Sequence, residues 1–207
     1  MANDNFARGL FPVNYPNIPV HYYRVATSQN IFLGELVDQS STGYVTNAID
    51  VTSAGTIIAL GVVVGFAGPL KKGLSGLGEP YLKASDLSTL ASGLEAGDRW
   101  VAVADDPNQQ FIVQGDTGGT LATLAAVGES AALIYRATSG NTSTGWANLE
   151  LDASSNTTGA TQAVRILQLH DNVNVDGTEN TAGANYTKWR VKILNHRLNN
   201  AAVSAAV

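Results

Sequence analysis

Arg99-Trp-Val-Ala-Val-Ala-Asp-Asp-Pro-Asn-Gln-Gln-Phe-Ile-Val-Gln-Gly-Asp116 contains two runs of strand-favouring residues separated by one polar stretch. Trp100 to Ala104 form the first run, Phe111 to Gln114 the second, and Asp105 to Gln110 lie between them. Pro107 has the fixed φ that suits the first central position of a type I turn, and Asn108 tolerates the bridge conformation that follows. The stretch therefore predicts a hairpin. Its strands are apolar on both faces, where a solvated strand would alternate, so the hairpin is expected inside the body of a β-barrel or sandwich.

Working outward, the chain continues as β-structure on both sides. Residues 31–38 and 40–46 read as two strands joined by a polar turn near Gly43. Val51 to Leu70 is free of charge for twenty residues, a length that a membrane span could use. Four interrupting glycines and a β-branched content concentrated in Ile57, Ile58, Val62, Val63 and Val64 favour buried strand instead. Gly73, Gly76 and Gly78 lie in a loop without dinucleotide or Walker spacing. Leu87, Leu90, Ala91 and Leu94 fall at helical intervals, capped by Ser85 or Asp86 and closed by Gly97. Thr120 to Val127 is expected to hold one or two helical turns. Strands are then expected over 130–138, 146–151, 163–169 and 186–198. The reading is of a mainly β chain: a barrel or sandwich-like body over 21–198, one or two short helices, an extended N-terminal arm over 1–20 and a flexible tail over 199–207. Two sub-barrels divided near 116–130 are the expected subdivision.

The arm follows from Pro12, Pro16 and Pro19, which forbid a helix and leave little sheet ladder. Phe6, Phe11 and Tyr15 among those prolines favour an arm docked on something over a disordered terminus, because disordered segments are poor in aromatics.

Composition excludes several functions. The 207 residues contain no cysteine, so disulfides and thiolate chemistry are absent. A net charge of −5 with 14% charged residues gives no basic patch for a phosphate backbone. The opening Met1 to Arg8 lacks the features of a secretory signal, so a cytosol-like compartment is expected.

The chemical motifs are sparse. Asp116-Thr117-Gly118 matches an aspartic protease triplet, but Gln114 and Gly115 interrupt the apolar approach strand. Asn172, Asn174, Asp176 and Gly177 imitate the start of a calcium loop whose bidentate glutamate position holds Gly183. His21, His170 and His196 lack zinc-ligand spacing. Asp105 and Asp106 are expected to point apart and to cap backbone N–H groups. No catalytic residue, metal or cofactor is expected.

The order of Tyr23-Arg-Val-Ala, Gly34-Glu-Leu-Val, Gly61-Val-Val-Val-Gly-Phe, the run from Trp100 to Gln114, and Trp189-Arg-Val-Lys-Ile-Leu-Asn-His resembles head structural proteins of tailed bacteriophages. It is most similar to capsid decoration, or cement, proteins. The resemblance implies a protein made in the bacterial host cytoplasm and carried on the outer surface of the virion. It further implies binding to the major capsid protein, often as a homotrimer, stabilisation of the shell against internal DNA pressure, and no direct contact with nucleic acid or membrane. Phe6, Arg8, Phe11, Tyr15, Tyr22 and Tyr23 are then the candidate capsid contacts. The alternative is a particle-surface receptor or glycan binder using Tyr22, Tyr23, Tyr44, Trp146 and Tyr186 as stacking faces, or another head or tail component. An aspartic hydrolase centred on Asp116 is the third reading.

Overall fold

A computed structural model describes residues 5, 7–26, 29–48, 57–67, 81–82, 100–117, 122–159, 162–171 and 178–199. The expected helix at 85–97, the glycine-rich loop, the Asn172 to Gly177 turn, Phe6 and all of the tail but Asn199 lie outside the described residues. Those residues are mainly β. In chain order the strands are β1 (Phe11–Pro12), β2 (His21–Arg24), β3 (Leu36–Gln39), β4 (Val45–Asn47), β5 (Gly61–Ala67), β6 (Trp100–Ala104), β7 (Gln110–Gln114), β8 (Ser130–Ala131), β9 (Leu133–Gly140), β10 (Ala147–Leu151), β11 (Val164–Leu169) and β12 (Lys188–Ile193). Short 3-10 turns at Leu124–Ala126 and Arg197–Asn199 are the helical elements among the described residues. The first lies within the segment expected to hold a helical turn.

Five strands in the order β2-β6-β5-β3-β4 make one antiparallel sheet. A bridge between Val25 and Val45, with the Ala26 N–H donating to the Val45 carbonyl at 2.9 Å, returns the last strand to the first. The sheet thus closes into a small barrel. Strand alternation sends Val37, Val45, Val63, Val101 and Val103 inward with Val25, Ile31 and Leu60, and all eight are buried. The neighbours Leu36, Val62 and Ala104 face outward into a second, larger cluster shared with Phe111, Leu149, Trp189 and Val191. Over this outer face lie a second five-stranded sheet, in the order β1-β7-β12-β11-β8, and the hairpin β9-β10. The β3-β4 turn has the expected form, with the Gly43 N–H on the Ser40 carbonyl and Gly43 at φ +81. β5 lies in the second half of the uncharged stretch, and no helix among the described residues is long and apolar enough to cross a membrane.

The stretch from Arg99 to Asp116 departs from expectation in one respect. Its two strands exist, and the turn between them forms: the Gln109 N–H donates to the Asp106 carbonyl at 2.9 Å and the Asn108 N–H to Asp106 Oδ1 at 2.8 Å. The strands do not pair with each other. β6 lies between β2 and β5 in the barrel, whereas β7 lies between β1 and β12 in the second sheet. The apolar character of both strands reflects a central place in two different sheets. Asp105, only 3% exposed, marks the departure from the barrel, with its carboxylate held by His21 and Tyr23 of β2.

At 105–109 the chain passes from the barrel into the second sheet, and the larger cluster is continuous across this passage. The leading segment is likewise docked on this chain's own body. Leu10 is fully buried in the larger cluster, and Phe11 and Pro12 pair with Ile112 and Phe111 as an edge strand, where a missing N–H is tolerated. Gly9 and Gly34, both at positive φ, let the two backbones touch: a Cβ on Gly34 would overlap the Arg8 carbonyl, and one on Gly9 the Gly34 carbonyl. Residues 10–12 belong to the folded core instead of forming a detachable arm. At the other end, Arg197 makes a bidentate pair with Asp38 at 2.6 and 2.5 Å, and its N–H donates to the Ala59 carbonyl, returning the chain to the barrel.

Candidate functional site

Two open depressions collect most of the described aromatic candidates. The first, of about 200 Å³, is lined by Leu10, Phe11, Pro12, Tyr15, Leu33, Gly34, Val63, Val64 and Trp146. The turn at Asn14 to Asn17, closed by the Asn17 N–H on the Asn14 carbonyl, carries Tyr15, which is 52% exposed. Leu33 accepts from the Ala147 N–H at 2.8 Å and donates to the Gly145 carbonyl at 2.9 Å, and this fixes Trp146 beside the leading segment. The Phe11 ring lies 5.5 Å from that of Tyr15 and 6.2 Å from that of Trp146, both tilted, and the Arg8 guanidinium sits 5.7 Å from the Trp146 ring centre. Partial burial lowers the Arg8 pKa from its ordinary value.

The second depression, of about 310 Å³, lies at the seam of the barrel and is lined by Tyr22, Tyr23, Arg24, Thr42, Gly43, Tyr44 and Trp100. Tyr22 is 57% exposed. Arg24 lies over the Trp100 ring at 5.2 Å, because Arg24 and Trp100 are direct partners across β2 and β6. Tyr23 is anchored: its hydroxyl donates to Asp105 Oδ2 at 2.5 Å, while His21 Nδ1 lies 2.8 Å from Oδ1 of the same carboxylate. Burial, then the Asp105 charge, pushes the Tyr23 hydroxyl well above the usual phenol range.

The structure thus divides the candidate contacts. Phe11 and Tyr15 line one depression with Trp146, against whose ring Arg8 lies, whereas Tyr22 and Tyr23 line the other with Tyr44. Tyr186 stands apart, accepting from Arg136 at 3.3 Å with the guanidinium 5.3 Å from its ring. Trp100 was not among the residues singled out for stacking, because it reads as one more hydrophobic residue of a core strand. Its partial exposure follows from its place at the start of β6, opposite Arg24.

Two buried glutamates also escaped the sequence reading. Glu35 is fully buried, accepting from the Phe32 N–H at 2.8 Å and from the Tyr135 hydroxyl at 2.6 Å. Burial outweighs these bonds and raises its pKa to about 7. Glu150 accepts from Gln114 Nε2 at 2.9 Å and lies 3.5 Å from Arg136, while Asn5 Oδ1 accepts from the same Gln114 at 3.0 Å. Burial raises the Glu150 pKa, Arg136 and Gln114 oppose this, and Asp116 adds to it. Neither glutamate has a sequence signal beyond its hydrophobic neighbours.

Asp116 Oδ1 accepts from the Ala153 N–H at 3.2 Å, a structural use of the carboxylate. Asp105 and Asp106 do point to different tasks, Asp106 capping Asn108 and Asp105 binding side chains. His170 accepts from Arg190, and among the described residues no group of three or more His, Asp or Glu is placed to hold a metal. No protein-family model matches the chain, and a search of curated proteins finds no match.

Proposed function

We propose that this protein is a structural component of a phage particle, a decoration protein that binds the outer surface of the capsid and stabilises it. The observation that carries the reading is a solvent-open depression over the folded core that is lined by Phe11, Tyr15 and Trp146, with the Arg8 guanidinium 5.7 Å from the Trp146 ring centre. Aromatic rings and arginine are the residue types that dominate protein interfaces. Here they are held on a rigid support, so little conformational freedom is lost on docking. The resemblance in sequence order supplies the partner, the major capsid protein. A homotrimer that grips several capsid subunits at once gains by multivalency even when each contact is weak, and closed symmetry is the usual arrangement of identical subunits.

The test is cosedimentation with purified capsids stripped of their outer proteins. The parent protein is expected to saturate the shells, and the Arg8→Glu/Tyr15→Ala double variant to bind at least tenfold more weakly, about 1.4 kcal/mol, with an unaltered circular dichroism spectrum. A parent that leaves the capsids bare, or a double variant that binds like the parent, overturns the proposal.

A further inference from the structure

The hollow at the barrel seam is separate from the depression assigned to the capsid, and its chemistry is different. We infer that the hollow formed by Tyr22, Tyr23, Arg24, Tyr44 and Trp100 binds an acidic sugar, a pyranose ring carrying a carboxylate.

Its size comes first. At about 310 Å³ it stands at the small end of the range for small-molecule sites, room for one or two sugar rings and little more. The hollow exists because β2 and β4 are bridged beyond Arg24, at Val25–Val45, so that outward-facing Tyr22 and Arg24 stand across an opening from the Thr42 to Tyr44 turn, while the Tyr23 ring packs inward against the barrel core. The turn is open at Gly43, where nothing lies within 4 Å of the place a Cβ would take.

The lining is amphipathic in the way a pyranose is. Aromatic faces suit the apolar C–H surface of a sugar ring, and the hydroxyls of Tyr22, Tyr44 and Thr42 supply partners for its O–H groups. The walls are preorganised. Tyr23 is locked by Asp105, Arg24 is stacked on Trp100, and Thr42 Oγ1 lies 2.8 Å from Ser40 Oγ.

Charge selects the sugar class. Among the described residues the lining holds one cation, Arg24, and no carboxylate. Asp105, which touches this wall through Tyr23, is buried and already bonded to Tyr23 and His21. An arginine presents a planar fork of N–H donors suited to a carboxylate, and it disfavours a cationic ligand.

The test uses the full ¹⁵N-labelled chain, titrated with oligogalacturonate and, separately, with a neutral galactose oligomer of the same length. Saturable shifts are expected in the Trp100 indole N–H and the amides of residues 42–44 with the uronate, and at least tenfold weaker binding of the neutral oligomer. Tyr22→Ala, an exposed position, is expected to abolish both. Arg24→Gln is expected to remove the preference for the acid. A uronate titration without saturable shifts, shifts confined to Trp146, or an undiminished acid preference in Arg24→Gln overturns the inference. So does a silent titration in which Tyr22→Ala changes the sedimentation coefficient, since that assigns the hollow to contact between copies. The outcome is independent of whether the chain binds capsids.

Discussion

The depression beside the leading segment and the hollow at the barrel seam both gather aromatic rings, one of them a tryptophan with an arginine against it, but they are built differently. The first is walled by the core residues Leu10 and Val63 and by Leu33 packed against them, brought together from the leading segment, β5 and the loop before β3. The second is made mostly by residues standing on the barrel surface, Tyr22, Arg24, the partner residue Trp100 and the turn at Thr42 to Tyr44, with Tyr23 packed against the core beneath them. A surface continuous with the core transmits substitution into stability, whereas one standing on the core can change its ligand at little cost to folding.

The sharpest way to break this contrast is at Leu10. Leu10→Ala removes a fully buried side chain from the larger cluster and is expected to cost 2–5 kcal/mol, roughly the range for such truncations, read from urea unfolding. Deletion of residues 1–20 is expected to abolish cooperative unfolding altogether, since it also removes β1. A stable, cooperatively folding truncation would show that the leading segment is an appendage after all.

Beside the same depression, Gly34 is followed by buried Glu35, whose folded pKa of about 7 lies above its ordinary value of 4.5. The folded state therefore binds the proton more tightly than the unfolded chain. Stability contributed by the neutral acid is complete below about pH 4.5 and falls as pH rises to 7, by roughly 3 kcal/mol in all. Glu35→Gln should flatten this slope between pH 5 and pH 8 in thermal or urea unfolding. An unchanged slope would place the titration elsewhere.

At the seam the effects are smaller. Gly43→Ala places a side chain at φ +81 in open space, so only backbone strain is felt, about 1 kcal/mol. Tyr22→Ala should lie within about 0.5 kcal/mol of the parent, as surface substitutions usually do. A loss of several kcal/mol at Tyr22 would erase the distinction between the two depressions.

Much of the framework was legible from local pattern. Val101 and Val103, alternating with small residues, mark a strand with a buried inner face, and Ser40 to Tyr44 marks a turn. Pairing was not legible, because an apolar strand carries no mark of which neighbour will satisfy its ladder. Trp100 to Ala104 and Phe111 to Gln114 are close in sequence and join different sheets, since each finds better-covered partners in β2 and β5 or in β1 and β12. The candidate site shows the same division. Phe11 and Tyr15 stood out by type, but nothing near them in sequence announces Trp146, more than a hundred residues away.

The amino-acid sequence by itself determined that the chain is β-rich, free of cysteine, weakly charged and studded with aromatic residues between prolines, because strand propensity, turn chemistry and charge are local properties. Only the tertiary structure decided that one sheet closes into a barrel, that the leading segment is core, and that its aromatic residues split between two surfaces. Those outcomes depend on which distant faces exclude water together, and no short stretch of chain contains that information.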